Sequence, residues 1–340
     1  MIRRLSPLVL LLALSASAQT VRIEVLGLFH SPELTVAPKS LPVVLDLGTN
    51  IVVLDHGLAR LHLSAEHVRV TVGSRSWDAE GVRVRARDGA PAEFVLAVPG
   101  KIHRAYRGVL EITAGGGELV PVVAMDLETA VASVVAAESP PGAPLEALKA
   151  QAVASRSILL ARRSGHTGFD FCDTTHCQFL REPPAEDSAY AHAARLTRGL
   201  VLAYRDAPLA ALYARSCGGR TRSLAELGLP VDAYPYYSVD CPYCRAHSPT
   251  WTRDLPQPPA SERERLFLGR EFGWSALPSN HYQVRRDGGR TLAEGSGQGH
   301  GLGLCQNGAA AMARDGRDFR QILAHYYPNT TVRALPAPAR

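Results

Sequence analysis

The apolar residues of this chain change their spacing near residue 115, and that change limits the folds open to it. Before it they come in short runs, at 20–26, 41–47, 51–54, 68–72, 82–84, 94–98 and 109–112, separated by Gly, Asp, Pro and Ser. Short runs rich in Val, Ile and Leu between turn formers read as strands. From Val120 the apolar residues recur at helical spacing: Val123, Leu127, Ala130, Val131, Val134 and Val135 share one face, with Asp126 placed to cap the start. Strands followed by helices predict an α+β chain, with a β-rich accessory domain over 19–115 and a mixed helical and β domain over 116–335.

The first long helix must stop at Glu138, because Ser139-Pro140-Pro141-Gly142 cannot continue it. A second helix opens at Pro144 and runs to about Arg163, with Gly165 as its stop. Further helices are expected at 184–197, 261–272, 304–314 and 319–326, a hairpin joining 200–204 to 209–213, and a strand at 281–286.

With 340 residues, 46% hydrophobic and 20% charged, the chain has ample material for a packed core, which excludes a disordered or coiled-coil protein. Residues 1–18 read as a secretory signal: Arg3 and Arg4, an apolar run at 8–14, then Ala16-Ser17-Ala18. That run is too short for a stable membrane anchor. The expected location is therefore secreted, in the periplasm or cell envelope, where the six Cys are free to form disulfides. The net charge is +5, and Lys39, Lys101 and Lys149 are the only lysines. Such a balance suits an anionic partner, although a preference for Arg codons gives the same bias.

Glu138 is the most informative residue. At the carboxyl end of a helix and beside Val134 and Val135, its carboxyl meets both the negative end of the helix dipole and an apolar surrounding. Both raise its pKa, which suits a general acid near neutral pH. Lys149 and Arg156 lie seven apart on the next helix, so both point the same way, toward an anionic substituent or simply toward solvent. His166, Cys172, His176 and Cys177 fall close together, as either zinc ligands or neighbours of a Cys172–Cys177 disulfide. Cys241-Pro242-Tyr243-Cys244 is a true CxxC without a second one, open to redox, zinc or stapling roles. Two Gly-bearing segments complete the set: Ser216-Cys217-Gly218-Gly219-Arg220-Thr221, and 295–309 with His300, Cys305 and Gln306. The second lacks the Lys-Ser/Thr ending of a phosphate loop, and neither nucleotide nor nucleic acid is expected.

Together these segments resemble the SpoIID/LytB family of bacterial cell-wall proteins. The resemblance is carried by 134–138, LEALKAQAVASR (145–156), DTTHCQ (173–178), SCGGRT (216–221) and GHGLGLCQNGA (299–309), in that family's order. It implies a lytic transglycosylase acting on peptidoglycan glycan strands, above all strands stripped of stem peptides. Glu138 then falls on the catalytic acid. Lys149, Gln151, Arg156, Ser216, Cys217, Gly218, His300, Cys305 and Gln306 fall on substrate-binding positions. No cofactor is required for catalysis, and a structural zinc in some relatives adds weight to the His/Cys set as metal ligands. Where the family often carries Ser, this chain has Cys217 and Cys305, which a shared cleft would let form a disulfide. Shortly after Arg156, where the family usually has an aromatic residue, Ser157-Ile158-Leu159-Leu160 offers none. The alternative expectation is a non-enzymatic, glycan-binding enhancer of a cell-wall amidase. A zinc amidase is the weaker third.

Overall fold

The computed structural model describes residues 19–161 and 166–335. The expected signal segment, 1–18, and the expected end of the second helix, Arg163 and Gly165, lie outside the described residues. Strands β1 (Thr20–Glu24), β2 (Glu33–Pro38), β3 (Val43–Asp46), β4 (Ile51–Leu54), β5 (Ala59–Ser64) and β6 (His67–Val72) come first. They are followed by β7 (Arg75–Ala79), β8 (Gly81–Arg85), β9 (Ala92–Val98), β10 (Ile102–Gly115) and β11 (Glu118–Asp126). With β12 (Phe171–Cys172) they make a twelve-stranded sheet ordered β12-β1-β11-β10-β9-β2-β5-β6-β7, from which β8, β3 and β4 branch at β10. Strands β2, β5 and β7 lie outside the apolar runs. β2 and β5 bury only alternate residues, Leu34 and Val36 on one and Ala59 and Leu61 on the other, with polar residues between.

Residues 120–125, which carry the onset of helical spacing, are strand: β11 lies between β1 and β10 and buries Leu119, Pro121, Val122, Val123 and Met125. A strand enclosed by its neighbours carries a nearly continuous apolar run, which mimics a buried helix. The boundary expected at 115 falls in the turn of the β10–β11 hairpin, whose arms pair from Val109↔Ala124 to Gly115↔Glu118.

Helix α1 (Leu127–Glu138) starts where expected. The Asp126 carboxylate accepts from the backbone N–H groups of Glu128 and Thr129 at 3.0 and 3.1 Å. It ends where expected too: Ser139 donates its N–H to Val135 and turns extended, ahead of the two prolines. Helix α2 (Leu145–Ala161) is buried nearly all round, from Ala147 to Leu159 with Lys149 the exception. Leu148, Ala152 and Leu159 join the core beneath the large sheet, while Ala147, Ala150, Val153 and Ala154 join a second core.

Helix α3 (Ala189–Leu196) joins the first core; the second is entered by β13 (Leu200–Tyr204), β15 (Tyr213–Ala214) and α4 (Pro242–His247), with β14 (Ala207–Pro208) beside β13. A small sheet of β16 (Thr250–Leu255), β17 (Tyr282–Asp287) and β18 (Arg290–Ser296) adjoins α5 (Glu262–Phe272). The chain closes with β19 (Leu304–Cys305), α6 (Gln306–Arg314), α7 (Phe319–Tyr326) and β20 (Thr331–Ala334). A mostly antiparallel sheet, built almost entirely before residue 127, with all the described α-helices after it, makes the fold α+β. The hairpin expected between 200–204 and 209–213 forms differently. β13 pairs with β14 and β20, which frees Tyr213 to enter β15, parallel to β19. Among the described residues no helix is long and apolar enough to cross a membrane.

Candidate active site

Glu138, the last residue of α1, keeps part of its surface open. Phe179 donates its backbone N–H to the carboxylate Oε1 at 2.5 Å. The Tyr213 phenol and the Arg215 guanidinium both act on the same carboxyl and favour its charged form. Burial is the largest influence and pushes the Glu138 pKa up to about 7, while Tyr213, the Phe179 N–H and Arg215 pull it back. Burial likewise holds the Tyr213 phenol well above its ordinary value, reinforced by the neighbouring carboxylate, and lowers Arg215.

A chain of amides and hydroxyls surrounds this carboxyl. Gln306 donates from Nε2 to the Glu138 carbonyl oxygen at 3.1 Å and to Gln151 Oε1 at 3.3 Å. Gln151 Nε2 donates to Ser155 Oγ at 3.3 Å, and Tyr213 donates to Gln178 Oε1 at 2.9 Å. Gln178 in turn donates from Nε2 to the Ser155 carbonyl at 3.2 Å. The pairing of β15 with β19, Tyr213↔Leu304 and Ala214↔Cys305, sets the two Gly-bearing segments side by side, and a Ser216↔Gln298 bridge continues it. A small cavity lined by Ser139, Pro140, Gln151, Leu304, Gln306 and Ala309 lies beside the helix end. A larger cleft, bordered by Tyr106, Arg107, Glu182 and Arg198, contains none of the candidate residues.

The structure thus brings Glu138, Gln151 and Gln306 together and places the others elsewhere. Arg156 is corrected from substrate contact to interior tie. It is fully buried, grips Glu128 with Nε and Nη2 at 2.9 and 2.5 Å, and donates to the carbonyls of Leu200 and Ala194. The helix that carries it is enclosed between two cores, so a residue seven places from Lys149 finds a protein partner and not solvent. Lys149 bonds Glu146 at 2.6 Å and lies over the Phe319 ring, so its ammonium is engaged within the protein. Ser216 is buried and hydrogen-bonds Ser248 at 2.8 Å, so it too contacts protein in this structure. Gly218 packs against His281 and Ser296. His300 accepts from the Leu302 N–H at 3.0 Å, a bond within its own loop. Cys217 and Cys305, expected at substrate-binding positions or as a disulfide across a shared cleft, lie in the interior together with Cys241 and Cys244.

Phe179, Tyr213 and Arg215 escaped the sequence reading as partners of Glu138, and Gln178 as the acceptor of the Tyr213 hydroxyl. Gln178 closes DTTHCQ and Arg215 immediately precedes SCGGRT, so their signal was proximity to motifs already singled out. Tyr213 lay in a strand whose pairing partner was assigned wrongly.

His166, Cys172, His176 and Cys177 converge as a second group. Their donor atoms all lie within 4.8 Å of one another, with Cys172 and Cys177 Sγ 3.2 Å apart, His166 Nε2 3.4 Å from Cys177 Sγ, and His176 Nδ1 3.8 Å from Cys172 Sγ. Two thiols and two imidazoles meeting at one point fit a tetrahedral zinc ion.

Residues 115–204 match the SpoIID family model, described as stage II sporulation protein. An uncharacterized protein of Brachyspira hyodysenteriae is 28% identical over 261 residues, covering 65% of this chain and 70% of that protein. Stage II sporulation protein D of Bacillus subtilis is 24% identical over 265 residues, covering 61% of this chain and 74% of its own. The amidase enhancer of Bacillus subtilis is 38% identical over 61 residues, 18% of this chain and 9% of that protein. The similarity to the SpoIID family is thus carried by the family-model match over residues 115–204 and by these relatives. The matched residues hold Glu138, Gln151, Gln178 and the His/Cys group, while Tyr213, Arg215 and the four interior cysteines lie beyond them.

Proposed function

We propose that this protein remodels the bacterial cell wall as a lytic transglycosylase, cutting denuded glycan strands with Glu138 as its single acid and base. The observation that carries the reading is the Glu138 carboxyl itself: it ends a buried helix and its pKa is raised to about 7, so both its protonated and its ionised form are well populated near neutral pH. Ordinary glycosidases divide protonation and attack between two carboxyls. Here, among the described residues, the charged group found to act on the Glu138 titration is Arg215 and not a second carboxyl. One carboxyl suffices when the sugar supplies its own nucleophile. Glu138 donates its proton to the departing glycosidic oxygen, then as carboxylate takes the proton of the 6-hydroxyl as that oxygen closes on the anomeric carbon. The Phe179 N–H fixes one carboxylate oxygen and Arg215 stabilises the ionised form between the two steps.

The secretory reading of residues 1–18 puts such an enzyme in the periplasm or cell envelope, beside its substrate. We further propose that His166, Cys172, His176 and Cys177 hold a structural zinc. All four positions are protein ligands, which leaves none for a reacting water.

A second reading is a glycan-binding enhancer of a cell-wall amidase. The likeness to an amidase enhancer favours it, as does the small size of the cavity beside Glu138. Mass spectrometry of products from peptide-free glycan separates the two. The enzyme yields 1,6-anhydro ends that Glu138→Gln abolishes by at least about a hundredfold, the usual scale of a lost general acid. Equal product from the variant would eliminate the proposed role of Glu138. No product from either protein, with amidase stimulation intact in both, would establish the enhancer.

A further inference from the structure

Cys217, Cys241, Cys244 and Cys305 come from three separate stretches of chain, and each has the other three sulfurs as neighbours. All four are buried, 1–3% exposed, and their Sγ atoms lie within 4.8 Å of one another, with Cys244 and Cys305 3.3 Å apart. A zinc ion with Zn–S bonds of about 2.3 Å holds its thiolates about 3.8 Å apart at tetrahedral corners. The spacing of these sulfurs brackets that edge. Disulfides would give each thiol one partner and would not require a fourfold convergence. An iron–sulfur cluster would hold its cysteines farther apart, around its own inorganic core.

We infer that Cys217, Cys241, Cys244 and Cys305 form a tetrathiolate zinc site, separate from the His/Cys group, that fixes the wall of the candidate active site. The surroundings are built for sulfur carrying negative charge. Gly308 donates its backbone N–H to Cys305 Sγ at 3.4 Å, because Cys305 is the N-cap of α6. The Tyr326 hydroxyl lies 3.5 Å from Cys241 Sγ and the Ser216 hydroxyl 3.5 Å from Cys244 Sγ, and both donate to thiolates. A side chain at Gly308 would run into the Cys241 sulfur and the Tyr326 hydroxyl, so glycine there keeps the space open. Loading replaces S–H by Zn–S bonds and releases the thiol protons to solvent. With four thiolates the shell is complete, and the role is structural. The ion would clamp the 215–217 segment to the start of α6, and so hold Arg215 and Gln306 against the two ends of Glu138.

The test is metal content and zinc-edge X-ray absorption on the full chain, purified under reducing conditions with zinc present. The variant Cys172→Ser/Cys177→Ser removes the other candidate site. Two zinc ions per wild-type chain, and one in the variant with an all-sulfur shell, are expected. Should the variant not fold, the wild type still decides: two ions averaging three sulfurs to one nitrogen support the site. One ion with equal sulfur and nitrogen overturns it. So does peptide mapping of the oxidised mature chain that finds these four cysteines joined in disulfides.

Discussion

The ionisation of Glu138 bears on stability with a definite sign. The native carboxyl keeps its proton up to about pH 7, while the unfolded chain releases it near the ordinary 4.5. Between those values the native state binds more protons, so stability falls as pH rises through the window and levels off above it. Glu138→Gln keeps an oxygen for the Phe179 N–H and never ionises. Denaturant unfolding is therefore expected to find the variant more stable than wild type at pH 8, by up to about 3 kcal/mol, with the difference vanishing below pH 4.5. A pH-independent difference would remove burial as the cause. Arg215→Met takes away a charge that favours the carboxylate, so the Glu138 titration should move upward, read directly by carboxyl-carbon NMR. Neither Arg215 nor Tyr213 stands out in the sequence as a partner of Glu138. Their relation to it exists only once β15 pairs with β19.

At the scale of elements, Arg156 ties α2 to Glu128 of α1, to Ala194 of α3 and to Leu200 of β13. Arg156→Ala strands a part-buried Glu128 carboxylate and empties a large interior volume, and is expected to cost about 3–5 kcal/mol in chemical denaturation. Had Arg156 been a glycan contact, the loss would instead appear in KM with stability unchanged. In the sheet, β10 pairs with β9 up to Gly108 and with β11 and β8 from the next residues on. A Cβ on Gly108 would stand 2.6 Å from the Ala124 carbonyl oxygen and the Val123 side chain. Gly108→Val should therefore lower stability by about 2 kcal/mol or more, although valine favours strands in general, and a thermal melt would show it. The capping and breaking residues of α1 were readable in the sequence because they act over one helical turn. Asp126, expected to cap the helix that follows it, does so, whereas the caps at Ser261 and Asp318 emerged only in the structure. Burial of α2 on every side was not readable, since it depends on two cores that distant segments supply.

Across the whole molecule, the large sheet joins what the change in apolar spacing divides. Strand β11 has β1 on one side and β10 on the other, and β1 also pairs with β12, next to the His/Cys group. A fragment of residues 116–335 would leave β11 without either neighbour. It is expected to lack a cooperative melt and sharp near-ultraviolet circular dichroism, whereas residues 19–335 should show both. Independent folding of the fragment would establish the boundary at 115 as a true domain border. What the sequence by itself determined is local: the α+β character, the cap of α1 at Asp126 and its end at Glu138, and the pairing of imidazoles with thiols over 166–177. Those follow from dihedral limits, from hydrogen bonds spanning a few residues and from the side chains present. Only the tertiary structure decided that Arg156 is interior, that Tyr213 and Arg215 reach Glu138, and that four cysteines spread over 217–305 share one point. Such contacts join residues far apart in the chain, and their free energy depends on which surfaces the fold excludes from water.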